Sequence, residues 1–418
     1  MLGTELPLVS ALPFVVLLLV IAAAPLIAPR WWHHNRNKAV IAALVSLPVL
    51  IYLGSSGEGR HLLAEKALEY VGFIVVIAAL FVISGGIHIA GSLSGTPLVN
   101  TAMLAIGAVL ANFAGTTGAS VLLIRPLLRA NKRRKRVAHI VVFFIFIVAN
   151  CGGLLTPIGD PPLLLGFLKG VPFSWTLRLW PQWLFVNGIL LVIFNVWDQL
   201  ALDKDEQELP GSQHEQVLIH EPLEIKGALP IVALLLVILA IVLAWPVWMV
   251  ALLGVLGYFA GSADHRAKND FSFGPIIEVA VLFAAIFMTM APVLEILNAH
   301  AATLGFSTPR QFFWITGSLS SVLDNAPTYL AFVSAAAGLQ NIPPHGAFVG
   351  AINPHILAAI STGAVFMGAN TYIGNAPNFM VKSIAEESGV KMPSFLGYIV
   401  YSAGILIPLF VVVSLILF

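Results

Sequence analysis

The chain has 418 residues, of which 59% are hydrophobic and only 10% are charged, and its mean hydropathy is +0.94. Soluble domains carry about 25% charged residues, so this composition indicates an integral membrane protein and excludes an ordinary soluble domain. A net charge of +1 argues against nucleic acid as a partner. The single cysteine, Cys151, excludes an internal disulfide and a thiolate metal cluster.

Apolar runs recur along the whole chain, long enough to cross or partly cross a hydrocarbon core of about 30 Å. The clearest runs are residues 6–28, 39–53, 70–90, 97–113, 138–151, 181–197, 228–244, 247–262, 275–294, 311–335, 355–369 and 396–418. They predict about ten to twelve crossings or partial crossings of the lipid bilayer. The first run lacks the charged segment that precedes a cleaved signal, so we expect it to remain as the first span.

Basic stretches between the runs predict the orientation of the chain. The stretch "RANKRRKR" (129–136) carries six Arg or Lys and "RWWHHNRNK" (30–38) carries three. Both are expected to face the cytoplasm by the positive-inside rule, and a patch for lipid head groups or nucleic acid is the alternative.

An acidic segment divides the chain into two halves. Residues 202–226 contain seven acids and two lysines, a composition typical of a solvated linker. We expect five regions in order: N-terminal spans over 1–69, a first repeat over 70–201, the linker over 202–226, two linking spans over 227–272 and a second repeat over 273–418.

The two halves repeat the same order of features. Residues 81–123 and 287–332 each contain a helix, a small-residue break, a Thr-Pro loop, another helix and a polar break. Further along, "TPIGDPPL" (156–163) matches "TYIGNAPN" (371–378). Repeats of this kind are typical of transporters. Each half is therefore predicted to contribute two interrupted elements: 112–126 with 150–166, and 318–332 with 368–381.

Helix breaks in a membrane are tolerated only where the freed backbone groups are buried in protein or line a cavity, so the breaks are candidate binding sites. Acids in apolar elements are also candidates, because an ionised acid at mid-bilayer costs at least about 2.5–3.5 kcal/mol. Four such acids are Asp160, Glu278, Glu295 and Asp324. Asp160 also suits the N-cap of the half-helix "PPLLLGFL", and Glu278 and Glu295 also suit helix ends or the interface.

Asp160 and Asp324 lie in the repeated breaks and are predicted to bind either a proton or Na+. Neutral oxygens beside the breaks are expected to complete the ion or substrate site: Asn325, Thr156, Asn150, Asn375, Asn370, Thr371, Ser120, Thr117 and Thr328. Glu278, Glu295 and His88 are candidates for a proton relay, although a histidine between glycines also suits hydrogen-bonded packing.

Motifs for enzymatic chemistry are absent from the sequence. It contains no GxxxxGK[ST] phosphate loop, no HExxH zinc motif and no GxSxG nucleophile elbow. The sequence therefore predicts a transporter rather than an enzyme, with no cofactor and with Na+ as a transported or coupling ion.

Several motifs resemble the ion transporter superfamily, which includes NhaD-type sodium/proton antiporters, ArsB-type arsenite permeases and carriers of citrate and dicarboxylates. They are "DNAPT" (324–328), "TGASVLLIRP" (117–126), "GGLLTPIGDPPLLLGFLKGVPF" (152–173) and "NTYIGNAPNFMVKSIAEESGVKMPSF" (370–395). The resemblance covers about residues 70–418 and is strongest to the subgroup labelled sodium:proton antiporter or citrate transporter. It implies an all-α polytopic membrane protein with an inverted repeat, two re-entrant hairpins and two broken helices. It also implies a homodimer and a substrate site between the hairpin tips and the breaks.

The chain departs from these relatives at both hairpin tips. NhaD-like antiporters tend to carry "DN" in the first hairpin as well, whereas Thr116-Thr117 stands here opposite Asp324-Asn325 of the second. Dicarboxylate carriers have Ser-Asn-Thr at both tips, where this chain has residues 118–120 and 325–328.

The function expected from the residues and the resemblance is Na+(Li+)/H+ antiport by alternating access, with carboxylates shared between proton and cation. The protein is expected to be a multi-pass protein of the inner, cytoplasmic membrane. The alternative is an ion-coupled carrier of an organic anion or oxyanion, such as citrate, a dicarboxylate or arsenite.

Overall fold

A computed structural model of the chain describes residues 2–208, 218 and 221–418, and most of these residues are helical. The helices are α1 (Leu2–Glu5), α2 (Leu12–Ile27), α3 (Pro29–Trp32), α4 (Asn35–Gly54), α5 (Gly57–Ser84), α6 (Pro97–Ala130), α7 (Ala138–Ile147), α8 (Pro161–Leu168), α9 (Trp180–Glu208), α10 (Ala228–Val242), α11 (Val247–Ala260), α12 (Ala263–Lys268), α13 (Gly274–Ala299), α14 (Pro309–Ser320), α15 (Asn325–Leu339), α16 (Pro354–Met367), α17 (Ala376–Glu387) and α18 (Phe395–Leu417). The predicted all-α fold is confirmed.

Seven helical stretches are long and apolar enough to cross a membrane. They are Leu8–Ile27, Asn35–Gly54, Gly57–Ser84, Pro97–Ala130, Phe173–Glu208, Gly274–Ala299 and Phe395–Leu417. Three shorter apolar stretches accompany them: Ala138–Leu154, Ala228–Val242 and Val247–Ala260. Large apolar side chains such as Leu98 on α6 and Phe259 on α11 are exposed, as expected where lipid is the solvent.

A short antiparallel ribbon joins the two halves of the chain. Strand β1 (His88–Ser92) pairs with strand β2 (Glu221–Lys226), with His88 opposite Lys226. The apolar run predicted over 70–90 is therefore wrong at its end, because α5 stops at Ser84 before two glycines that are poor helix formers. Of the predicted linker, residues 209–217, 219 and 220 lie outside the described part, and the division into five regions stays a prediction.

Four interruptions fall where the two halves were predicted to be broken. Helix α6 is broken at Gly115, whose φ of 75° and ψ of 158° form a conformation that is essentially restricted to glycine. Helices α14 and α15 are separated by residues 321–324. The other two breaks separate α7 from α8 and α16 from α17.

The last two breaks repeat the same local geometry. Asp160 (φ −145°, ψ 146°) and Asn375 (φ −150°, ψ 139°) are the N-cap residues of α8 and α17, and each is followed by proline in the first helical turn. The residue before each cap must be glycine. A Cβ added to Gly159 would overlap the carbonyl of Gly153, and a Cβ added to Gly374 would overlap the carbonyl of Gly368.

Helix α5 connects two faces of the molecule. Glu65 and Gly85 are about 30 Å apart along this helix, which matches the thickness of a hydrocarbon core. At the Gly85 end, Asn269 Nδ2 donates to the Gly85 carbonyl at 3.0 Å, and the adjacent Asp270 pairs with Arg125 at 3.1 Å. We call this end, where α6 leads into the stretch 129–136, the basic face.

Half-helices at equivalent positions of the two repeats lead to opposite faces. The equivalent pairs are α8 with α17, and the second half of α6 with α15. Glu65, on the face opposite the basic face, accepts from Lys169 Nζ after α8 at 3.4 Å and from the Gly346 amide after α15 at 3.1 Å. By contrast, residues 388–391 after α17 line a cavity together with Arg125 of the second half of α6. This opposition is what an inverted repeat requires, and the predicted arrangement is confirmed.

The two basic stretches lie on the same face, as the sequence predicts. Asn35 Nδ2 donates to the carbonyl of Gly274 at 3.2 Å, and Lys38 pairs with Glu278 at 2.7 Å. Because Gly274 begins α13 just after Asp270, the stretch 30–38 also belongs to the basic face.

Candidate functional site

The carboxylate of Asp160 is the point where all four interrupted elements meet. Asp160 is buried, and its Oδ1 accepts from Thr116 Oγ1 at 2.7 Å and from Asn375 Nδ2 at 3.2 Å. Its Oδ2 accepts from Asn325 Nδ2 at 2.6 Å. Each donor lies on a different interrupted element. The Asp160 carboxylate therefore links its own break to the other three.

Two prolines explain why this carboxylate faces the site. Asp160 occupies the N-cap of α8, as the alternative interpretation predicts, but its side chain accepts no bond from its own helix. A capping carboxylate normally accepts from the second or third amide of the helix; Pro162 has no N–H, and the Leu163 amide donates to the main-chain carbonyl of Asp160 at 3.0 Å. The helix start therefore leaves both oxygens available for Thr116 and the two asparagines.

Asp324, the second predicted acid, is used differently. It is the N-cap of α15, and its Oδ1 accepts from the Ala326 amide at 3.0 Å. No hydrogen bond joins its side chain to Asp160 in the described part of the chain. The two acids predicted to bind a proton or Na+ are therefore engaged differently: Asp160 accepts from other elements, and Asp324 accepts from its own helix.

A chain of amides extends from Asp160 into the second broken helix. Asn375 Nδ2 also donates to Asn150 Oδ1 at 3.2 Å, and Asn150 Nδ2 donates to Asn378 Oδ1 at 2.7 Å. Asn378 Nδ2 in turn donates to the carbonyls of Gly368 at 2.9 Å and Thr371 at 2.8 Å. This network links the two broken helices directly.

Three more predicted residues brace each broken helix against the hairpin of its own half. Thr156 Oγ1 donates to the Asn112 carbonyl at 2.6 Å, and Thr371 Oγ1 donates to the Ser321 carbonyl at 2.5 Å. Asn370 Nδ2 donates to Ser321 Oγ at 2.9 Å. These contacts fix the backbone of the breaks rather than reaching Asp160.

The remaining hairpin residues lie beside the centre. Thr117 lines a small cavity of about 50 Å³ with Asp160, and Thr328 Oγ1 donates to the carbonyl of Asp324 at 2.9 Å. Ser120 is buried one turn after Thr116 on the same helix.

Among the predicted site residues, three buried side-chain oxygens have no hydrogen-bond partner in the described part of the chain: Ser120 Oγ, Asn325 Oδ1 and Asn370 Oδ1. Buried polar atoms are rarely left without a partner, so these oxygens are available to a ligand. The described residues contain no cluster of three or more His, Cys, Asp or Glu side chains that could hold a metal ion. A sodium ion at Asp160 would therefore depend on neutral oxygens such as these.

The three candidates for a proton relay lie away from the centre. Glu278 pairs with Lys38 on the basic face, and His88 Nδ1 lies 2.7 Å from Asn269 Oδ1, also on that face. Glu295 is buried near the opposite face, with its Oε1 3.6 Å from His345 Nδ1. Within the described chain none of them bonds to Asp160, and their role stays a prediction.

Some residues of the network were not among the predicted site residues. Thr116 stands out in the sequence only as the position that lacks an acid, yet it donates to Asp160. Asn378, about one turn after Asn375, accepts from Asn150. The count of membrane acids also missed Asp198, which is fully buried and pairs with Arg134 at 2.6 Å.

The site collects four helix N-termini. The second half of α6 begins at Thr116, and α8, α15 and α17 begin at Pro161, Asn325 and Ala376, each beside a residue of the Asp160 network. A helix N-terminus carries the equivalent of about half a positive charge. Four of them favour negative charge at this place.

Comparison with known proteins identifies the family. The family model described as "Putative citrate transport" matches residues 3–418 of the chain. The chain belongs to this citrate transport family. It is therefore a multi-pass membrane protein of a secondary transport family, which confirms the predicted resemblance to the ion and citrate transporter superfamily. No curated protein matches the chain.

Proposed function

We propose that this member of the citrate transport family is an ion-coupled carrier of a small organic anion with several carboxylates, such as citrate. Transport takes place by alternating access around the Asp160 site. The observation that carries the proposal is the convergence of three neutral donors and four helix N-termini on one buried carboxylate.

The charge of the site supports an anionic substrate. Helix N-termini attract anions, and the side chains around Asp160 offer hydroxyl and amide hydrogens, the groups that bind carboxylates. Asp324 is engaged by its own helix and adds no second carboxylate to the Asp160 hydrogen bonds. A cation site would instead present mainly oxygens.

The same hydrogen bonds supply a coupling mechanism. With Asp160 ionised, Thr116, Asn325 and Asn375 donate to it and are not available to a substrate. When Asp160 takes up a proton or binds Na+, its negative charge is offset and these donors can turn to a substrate carboxylate. Ion and anion then bind together, which is the condition for coupled uptake.

Na+(Li+)/H+ antiport is the second candidate. The observation that favours it is the set of unpartnered neutral oxygens near the single carboxylate, Ser120 Oγ and Asn325 Oδ1. In that case Asp160 exchanges a proton for a cation, with Asp324 or the relay candidates as further acids.

The location in the inner membrane and the oligomeric state are part of the proposal. The basic face collects both basic stretches, which supports a cytoplasmic position for it under the positive-inside rule. A homodimer is proposed on the resemblance to the superfamily alone.

Purified protein in liposomes separates the two candidates. The carrier predicts accumulation of radiolabelled citrate under an inward proton or Na+ gradient, abolished by Asp160→Asn and retained in the exposed control Glu58→Gln. Proton release on addition of Na+ or Li+, without citrate accumulation, would reject the carrier in favour of the antiporter.

A further inference from the structure

A second and much larger cavity opens at the basic face, at the far ends of the second half of α6 and of α17. Its volume is about 820 Å³, within the usual range for ligand pockets. Eight arginines and lysines line it, with Asp270 as the single acid of the lining. The eight are Arg125, Arg129, Lys132, Arg134, Lys135, Arg136, Lys268 and Lys391.

Pairing with acids leaves a positive surplus. Asp270 and four acids outside the lining pair with five of the eight cations, and the surplus counted here rests on Lys132 and Lys391. The four acids outside the lining are Asp198, Asp205, Glu208 and Asp264. Lys132 and Lys391 are exposed and have no ion pair among the described residues.

The cavity has features beyond its charge. The Nε of Arg125 is buried and has no hydrogen-bond partner in the described chain. Trp197 and Tyr401 stack with ring centroids 5.6 Å apart and add aromatic surface to the lining. A concave wall of low dielectric concentrates the field of one sign of charge more than a flat surface does.

Among the described residues, the ionic groups around Glu65 on the opposite face are paired differently. There Lys66 pairs with Glu69 at 3.1 Å, and Lys169 pairs with Glu65 at 3.4 Å. Buried Glu295 adds a further acid. In the described part of the chain, the unpaired lysines Lys132 and Lys391 therefore distinguish the cavity at the basic face from the Glu65 cluster.

We propose that the cavity at the basic face is a binding site for soluble multivalent anions, tricarboxylates or polyphosphates, that arrive from the water. Two half-helices lead from this cavity to Asp160, so an anion held here lies at the entrance to the central site. Its role as an entrance for the substrate rests on the proposed function, whereas anion binding itself does not.

Binding of inorganic tripolyphosphate to the full-length protein in phosphatidylcholine nanodiscs tests the proposal by calorimetry. Weaker binding in variants of the outer cavity, together with unchanged binding in Asp160→Asn, would assign the bound probe to the outer cavity. The double variant Lys132→Gln/Lys391→Gln is expected to weaken binding by about three- to tenfold, with an effect that shrinks in high salt.

Two controls frame this result. Arg30→Gln/Arg36→Gln removes two exposed cations from the same face outside the cavity and is expected to leave binding unchanged. Asp160→Asn is also expected to leave it unchanged, which separates this site from the transport mechanism.

Three outcomes would overturn the proposal. They are no binding by the unaltered protein, equal weakening in the Arg30/Arg36 control, and loss of binding when the discs contain anionic phosphatidylglycerol. The last result would assign the cavity to lipid head groups instead of a soluble anion.

Discussion

Replacing Gly115 with alanine tests whether the break in α6 is needed for transport. At φ 75° and ψ 158° an alanine costs about 1–3 kcal/mol, and its Cβ would lie 3.2 Å from the Ile158 carbonyl. If α6 straightens to relieve this strain, Thr116 loses its amide bond to the Gly159 carbonyl (2.8 Å) and its hydroxyl bond to Asp160 (2.7 Å). The intact break is then populated about 5- to 150-fold less.

The assay is the initial rate of citrate uptake into liposomes, with the amount of inserted protein measured in parallel. Gly188→Ala is the matched control, because Gly188 lies within α9 and a Cβ there would meet no neighbouring atom. Alanine in a regular helix is favoured by up to about 1 kcal/mol, so this variant should transport normally. Uptake by Gly115→Ala at the unaltered rate would refute the role given to the break.

Three further substitutions test the surrounding structure. Arg134→Met leaves the buried Asp198 carboxylate with only Asn100 and His139 as partners among the described residues and should lower stability by about 3–5 kcal/mol, seen as a lower midpoint of thermal unfolding. Lys382→Met removes a helix-surface pair worth about 0.3–0.5 kcal/mol and should leave the midpoint nearly unchanged. Asn378→Ala leaves two backbone carbonyls without a donor at about 1–3 kcal/mol each, so an unchanged unfolding midpoint would count against the amide network. Glu278→Gln leaves buried Lys38 beside a neutral side chain and should lower stability, but citrate uptake per inserted protein should stay within about twofold, because the pair lies at the basic face. A loss of uptake per inserted protein would return Glu278 to the proton pathway.

Local chemistry made the breaks predictable from the sequence. Glycine, proline and asparagine stand out in apolar runs and indicate where the four interruptions lie. The same stretches contain Asp160, Asn325 and Asn375, which the structure brings together. The repeat was visible because both broken helices use the same residues at the same spacing.

Partners across the fold were not predictable in the same way. Asp160 and Asp324 look alike in sequence, and the difference arises because prolines follow the first while the amide of Ala326 is available to the second. Thr116 could be recognised as a donor only once α6 and α8 were placed together. The burial of Asp198 depends on Arg134, which lies 64 positions away in the chain.

The dependence of citrate binding on the coupling ion tests the central claim most directly. The account holds that neutralising Asp160 frees its three donors for the substrate. In the unaltered protein, citrate affinity should therefore rise with proton or Na+ concentration, whereas in Asp160→Asn it should not depend on either ion. An Asp160→Asn protein whose citrate binding still follows the ion as in the unaltered protein would contradict the account.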